Sequence, residues 1–368
     1  MLFVSACAAF AADTAPLDRV FAPLATQSTP GLAVLVRQDG RTIFAHGYGV
    51  RDLKSLIKID SATNFRLASF TKQFTAMAVM LLVHDGRLRY DQTLTQIFPD
   101  FPAYGKAITV RHLLTHTGGL PDYEDLMDAF EKGKPPIWIT TRQIQDHEVL
   151  ELLKRETHAK FSPGASWDYS NSGYVVLGLI VAKISGQPFE DFLRARIFQP
   201  LHMDRTLAFV AGKNTIPDRA FGHSKRNGAF IDTDQSPTSA TLGDGGVYAN
   251  LDDLAKWDAA LAAHTLLGED EMQPALTPAK LASGAPTFWP STPGGDNLAP
   301  GKPVSYGFGW FLEPYRGDRR MWHYGSTSGF HTVIERFPER KLTIIVLTNR
   351  TDLDPAALAL QAADVNLR

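Results

Sequence analysis

Ser69 and Lys72 stand three residues apart at the head of LASFTKQFTAMAVMLLVHDG, residues 67–86. On a helix this spacing puts both side chains on one face, with Cβ atoms about 5–6 Å apart. A serine near a helix N-terminus sits among free backbone N–H groups, at the positive end of the dipole. It can act as a nucleophile there, and its own N–H can help to hold an oxyanion. Lys72 can take the serine proton only when it is neutral. From an ordinary value of ~10.4, neutrality near pH 7 asks for a shift of roughly three units, about 4 kcal/mol, which burial and neighbouring charge can supply. Taken alone, S-x-x-K recurs by chance, and a capping serine beside a surface lysine is the plainer reading of the pair.

Two further stretches carry chemistry. Tyr169-Ser170-Asn171 follows the Pro163-Gly164 turn and precedes an apolar run. A tyrosine near cations can relay a proton between serine and leaving group, and an asparagine can donate and accept at a substrate amide. The alternative is a loop tyrosine with a capping asparagine. Trp322-His323-Tyr324-Gly325-Ser326 ends a strand-like run. The Ser326 N–H can be a second oxyanion donor, and Gly325 lets a substrate approach the backbone closely. His323 can bind a substrate carboxylate or carbonyl, or tune Tyr169. Otherwise it is a half-buried strand histidine.

Other motifs carry less. His112 and His116 are four apart, but no Glu follows His112 and the H-E-x-x-H pattern fails, so no metal is expected. Gly325 to Gly329 has Thr327 at its centre, so the G-x-S-x-G elbow is absent. No P-loop or dinucleotide fingerprint occurs. Trp310, Phe311, Trp322 and Phe330 read as sheet and core packing. Tyr123, Phe221 and Phe288 are candidates for the mouth of a cleft.

The elements that must position these residues are legible from pattern. Of 368 residues, 44% are hydrophobic and 21% charged, an ordinary globular composition with room for a sizeable core. A net charge of −2 without a basic stripe argues against a nucleic-acid partner. No stretch approaches the ~18 apolar residues of a membrane span. The only cysteine, Cys7, excludes an internal disulfide. It lies in MLFVSACAAFAAD, which reads as a secretory leader, with Ala9-Phe10-Ala11 as a cleavage site and a weaker lipoprotein-box pattern ending at Cys7. The expected location is periplasmic or secreted.

A first helix is expected from Thr14, and Asp39-Gly40 joins two β-rich runs as a hairpin. Leu67 to His84 reads as one helix, Ile108 to Leu114 as a short one, and Gly173 to Ile184 as another ending near Gly186. Asn250 looks like an N-cap, and residues 273–303 like a long loop. YGFGWFLEP, RRMWHYG, HTVIERFPE and KLTIIVLTN then read as strands before an Ala- and Leu-rich terminal helix. The economical architecture is α+β: an antiparallel sheet built from both termini and flanked by helices, with a mainly helical insertion.

The ordered set Ser69-Phe70-Thr71-Lys72, Tyr169-Ser170-Asn171 and His323-Tyr324-Gly325 resembles the three motifs of the penicillin-recognising serine hydrolases. The likeness is to the class C β-lactamase branch, with D-alanyl-D-alanine carboxypeptidases, D-aminopeptidases and family VIII carboxylesterases. ITVRHLLTHTGGLPDY, FSPGASWDYSNSGYVVLGLIVAKISGQPF and GDGGVYANLDDLAKW extend it to about residues 15–350. The resemblance implies acylation of Ser69, with Lys72 and Tyr169 sharing the acid–base work. The N–H groups of Ser69 and Ser326 would hold the oxyanion, and Asn171, His323, Gly325 and Ser326 would meet a small ester, amide or β-lactam. It implies no cofactor. It implies a sheet domain of residues 14–66 plus 226–368 after the leader-like 1–13, a helical domain of 67–225, and a site in the cleft between them. His323 and Tyr324 depart from the usual Lys-Thr-Gly, which favours an esterase, D-amino-acid amidase or peptidase. A class C-type β-lactamase and a non-catalytic penicillin-binding sensor are the alternatives. Oligomeric state is not readable.

Overall fold

The computed structural model describes residues 14–292 and 297–367, and the leader expectations for 1–13, Cys7 included, lie outside them. Five long strands form one antiparallel sheet. Strands β1 (Leu32–Gln38) and β2 (Arg41–Tyr48) come from the N-terminal part. The inserted part adds the short β3 (Phe65–Arg66), β4 (Leu207–Ala208), β5 (His223–Arg226), β6 (Ala229–Asp232) and β7 (Val247–Ala249). A small hairpin follows, β8 (Thr287–Phe288) with β9 (Pro303–Val304). Then come β10 (Met321–Thr327), β11 (Phe330–Phe337) and β12 (Leu342–Thr348). The sheet order β10-β11-β12-β1-β2 brings the two ends of the chain together through the β1–β12 pairing. The Asp39-Gly40 turn is the expected hairpin, with both residues at positive φ (51° and 75°) as a type I′ turn requires.

The central strands are buried on both faces, so they read as continuous apolar runs. Leu32, Val34 and Val36 pack with Leu17 and Phe21 of α1 (Ala15–Phe21) and with Leu358 and Ala359 of the C-terminal helix (Pro355–Asn366). Ala33 and Leu35 face the main core. That core holds α2 (Lys72–His84), whose residues 72–82 are all buried. A helix apolar all round belongs inside. Around it lie α3 (Leu94–Ile97), α4 (Val110–Leu114), α5 (Tyr123–Glu131), α6 (Asp146–Lys154), α7 (Asn171–Ser185), α8 (Phe189–Leu193), α9 (Leu251–Ala262) and the single turn α10 (Glu269–Met272). Among the described residues no helix is long and apolar enough to cross a membrane.

Four expectations about individual elements change in detail. The helix expected from Leu67 begins instead as a 3₁₀ turn, Ala68–Thr71, and becomes α-helical only at Lys72. α7 starts two residues early, at Asn171, because Ser170 caps it by accepting from the Gly173 N–H at 3.0 Å. YGFGWFLEP forms no strand of its own and touches the sheet through a single bridge, Phe311 to Trp322 of β10. Gly309 (φ 76°) turns it tightly over α2, where a Cβ would stand 2.9 Å from the Lys72 carbonyl oxygen. Residues 273–303 contain a 3₁₀ turn, Gln273–Leu276, and strand β8, with its partner β9 beginning at Pro303. The expected domain boundary at 225/226 falls inside the β5–β6 hairpin.

Candidate active site

The 3₁₀ turn that carries Ser69 is clamped from three sides. Thr332 Oγ1 of β11 donates to the Leu67 carbonyl at 2.7 Å. The Leu67 N–H donates to the Val247 carbonyl at 2.9 Å, and the Val247 N–H to Thr71 Oγ1 at 3.2 Å. β10 closes the third side: a Cβ on Gly325 would lie 2.1 Å from the Leu67 oxygen, so only glycine fits. These contacts hold Ala68 at φ 50°, a left-handed conformation that costs on the order of 1–3 kcal/mol and is found at functional turns. In a 3₁₀ turn residues three apart eclipse. Ser69 and Lys72 therefore align more closely than in an α-helix.

Lys72 is fully buried, and its Nζ donates at 2.8 Å to Ser69 Oγ, at 2.8 Å to Asn171 Oδ1 and at 3.1 Å to the Asp244 carbonyl. Asn171 arrives from the first turn of α7, Asp244 from the loop before β7, and Ser69 remains half-buried. The Nζ also lies 4.8 Å from the Tyr169 ring centroid and 5.4 Å from that of Tyr174. Ring faces at this range favour a cation.

Tyr169 is held by His116. The His116 carbonyl accepts from the Asp168 N–H at 3.0 Å, and its Nδ1 accepts from the Ser170 N–H at 3.1 Å. The His116 ring lies 4.4 Å from the Tyr169 ring and 4.6 Å from that of Tyr306. Burial, with Lys72 adding to it, pushes the His116 pKa well below its ordinary value, so the ring is neutral. The two histidines four apart thus go separate ways, His112 accepting from the Thr109 N–H within the α4 capping box.

His323 is fully buried, which corrects its expected contact with a substrate carboxylate. Its Nδ1–H donates to the Tyr324 carbonyl at 2.6 Å, and its Nε2 accepts from Tyr306 O–H at 3.0 Å. Burial, reinforced by Lys72, lowers its pKa from 6.5 to about 3. It carries no charge at neutral pH. Such a histidine takes up a proton on unfolding below 6.5, so its stabilising contribution is full above that value and is lost as pH falls toward 3. The Tm is expected to drop across this window, and less steeply in His323→Gln. Parallel slopes for the two proteins would remove His323 from the balance.

Ser326 is exposed, and with Gly325, Tyr324 and Trp322 it lines a cavity of about 540 Å³ that Leu298, Leu353 and Pro355 close. The structure therefore gathers Ser69, Lys72, Tyr169 and Asn171 and brings Gly325 against their turn. Tyr123 is buried rather than at a cleft mouth. Phe221 and Phe288 are exposed, and Trp310, Phe311, Trp322 and Phe330 are core packing. Sequence reasoning missed Asp244, Tyr306 and the clamp role of His116. An acid among three glycines, Gly243-Asp244-Gly245-Gly246, was the one available signal.

The antiparallel sheet and the helices packed on it make a β-lactamase/transpeptidase-like fold. The chain belongs to the Beta-lactamase family, whose pattern matches residues 17–367. It is 28% identical to Penicillin-binding protein 4* of Bacillus subtilis (strain 168) over 365 residues, 95% of this chain and 74% of that protein. The octameric penicillin-binding protein homologue from Pyrococcus abyssi superposes with a TM-score of 0.75 at 26% identity, over 93% of this chain and 74% of that one. The D-amino acid amidase from Ochrobactrum anthropi SV3 does so with 0.75 at 25% identity, over 96% of both chains.

Proposed function

We propose that this protein is a serine hydrolase that forms an acyl-enzyme on Ser69 and cleaves small esters or amides, D-amino-acid derivatives among them. The observation that carries the reading is the Lys72 Nζ placed 2.8 Å from both Ser69 Oγ and Asn171 Oδ1, under the Tyr169 ring. Ser69 Oγ attacks the carbonyl, and its proton passes through Lys72 and Tyr169 to the leaving group. The N–H groups of Ser69 and Ser326 receive the oxyanion. Donors of this kind are worth about 2.7–4 kcal/mol each. Water then releases the acyl group. The site is proposed to lie in a cleft between the sheet and the helical part that begins near Ser69. His323 acts as a positioning residue through Tyr306. The leader-like residues 1–13 support action outside the cytoplasm.

Neutral His323 is the reason to place β-lactams second, because the third motif then offers no cation to a β-lactam carboxylate. The D-amino acid amidase likeness supports amides. The test is a panel of p-nitrophenyl butyrate, D- and L-phenylalaninamide and nitrocefin. Ester and D-amide turnover is expected to exceed nitrocefin turnover by at least about 10², the scale of a lost oriented charge contact. Rapid nitrocefin cleavage with negligible ester and amide cleavage would make the protein a β-lactamase. A stable penicilloyl adduct without turnover of anything would make it a sensor.

A further inference from the structure

Behind Lys72 lies a buried carboxyl group that the mechanism above does not use. Asp244 is 6% exposed. The loop that carries it is jammed against α7: a Cβ on Gly243 would stand 2.2 Å from the Tyr174 carbonyl oxygen and 3.2 Å from Gly178 Cα. Thr75 Oγ1 of α2 donates to the Gly243 carbonyl at 2.6 Å. The Asp244 position is therefore fixed relative to the helix bearing Lys72. Its carbonyl accepts from Lys72 Nζ, its Oδ2 accepts from Tyr123 O–H at 3.3 Å, and its Oδ1 is buried without a hydrogen-bond partner. A carboxylate with one oxygen unsatisfied in a dry interior is expensive unless a cation offsets it.

The surrounding charges narrow what that cation is. Arg66 of β3 faces the loop and adds a pull on Asp244 weaker than that of Lys72, while its hydrogen bonds go to the Ser239 hydroxyl and carbonyl and to the Gly245 carbonyl. Asp146 of α6 is a second buried acid whose pKa is pushed well up by burial and by Asp244, and its Oδ1 accepts from the Leu242 N–H at 3.0 Å. Tyr123 of α5 is neutral, its pKa pushed up by burial and by Asp244 itself. On the other side of Lys72 stand Tyr169, Tyr174 and Tyr306 and the two neutral histidines, His116 and His323. Burial pushes the Asp244 pKa up, and Lys72 is the largest influence pulling it back.

We propose that Asp244 is a positioning residue for Lys72: its backbone carbonyl fixes one ammonium hydrogen, and its buried carboxylate supplies the counter-charge for the ammonium. This rests on the serine hydrolase reading. During acylation the Ser69 O–H bond breaks as Oγ bonds the acyl carbon, and the proton crosses the Lys72 amine on its way to the departing oxygen or nitrogen. Asp244 raises the stability of the Lys72 ammonium, and Tyr123 keeps the carboxylate turned to that side.

The test reads Lys72 directly, in protein labelled with ¹³C at lysine Cε, its resonance identified by Lys72→Arg. In Asp244→Asn the midpoint of the Lys72 titration is expected to fall by about one unit or more, the usual effect of removing a close opposite charge. The acidic limb of ester hydrolysis should move to lower pH by the same amount. Asp244→Ala serves where the Asn variant does not fold. An unmoved Lys72 midpoint, or a uniform rate loss with an unmoved limb, would reduce Asp244 to a structural residue. Hydrolysis persisting in Ser69→Ala would overturn the Ser69 acyl-enzyme reading instead, while the lysine titration would still decide the Asp244 proposal.

Discussion

Ser69→Ala is expected to lower kcat/KM for any ester or amide substrate by at least about 10⁴-fold, the scale seen when a nucleophile is deleted from a serine hydrolase. The folded state should survive. Ser69 is half-buried, and the substitution removes one oxygen without opening a core cavity. Lys72 loses one acceptor and keeps Asn171 Oδ1 and the Asp244 carbonyl. A hydrogen bond lost this way costs about 1 kcal/mol, a few degrees of Tm at most in a chain this long. The clamp that holds the turn uses Leu67, Thr71, Val247 and Thr332 and does not involve the serine side chain. Intact-mass measurement after brief exposure to a slow ester should show an acyl adduct on the wild type and none on the variant. Turnover persisting in Ser69→Ala, or an adduct mapped to another residue, would end the assignment of Ser69 as nucleophile.

The sheet was legible because its strands are long apolar runs gathered near both ends of the chain, and only antiparallel pairing between those ends covers them economically. Asp39-Gly40 marked its hairpin by turn chemistry, and Asn250 marked α9 by accepting from the Asp253 N–H at 3.0 Å. The first turn of the nucleophile helix was not legible. Its 3₁₀ form and the left-handed Ala68 are imposed by β10, β11 and β7, more than 170 residues away in the chain. Propensity at residues 67–72 contains nothing of those contacts. The same is true of YGFGWFLEP, whose β-like composition serves to wrap α2.

Ser69, Lys72, Tyr169 and Asn171, which the fold brings together, stood out in the sequence because chemistry restricts their types and order. His323 was placed correctly in the chain and given the wrong surroundings. Whether a strand histidine faces a cleft or a nest of rings depends on Tyr306 and Phe311, which approach it only in the folded chain. Asp244 was passed over for a related reason. An acid in a glycine-rich loop looks solvated until the close approach of Gly243 to α7 is known.

Lys72→Ala should lose about 10²–10⁴ in kcat/KM, the usual contribution of a positioned acid–base group. Stability and chemistry must be separated here, because Lys72 is fully buried. Truncation takes a hydrogen-bond donor from Asn171 Oδ1 and from the Asp244 carbonyl, each loss at about 1–3 kcal/mol, and removes the largest opposite charge acting on the Asp244 carboxyl. The alanine protein is therefore expected to melt well below the wild type. Lys72→Met fills the same volume without an amine, so the rate loss shared by the two variants belongs to the amine itself. The alanine variant leaves a pocket lined by Asn171 Oδ1, the Asp244 carbonyl and the Tyr169 ring, which suits a small alkylammonium. Added propylamine should restore part of its activity, with a pH dependence following the amine, and should do nothing for Lys72→Met, whose pocket is filled. Near-wild-type rates in both variants would leave Tyr169 as the only acid–base group. Rescue of neither, with both inactive, would confine Lys72 to holding Ser69 and Asn171 in place.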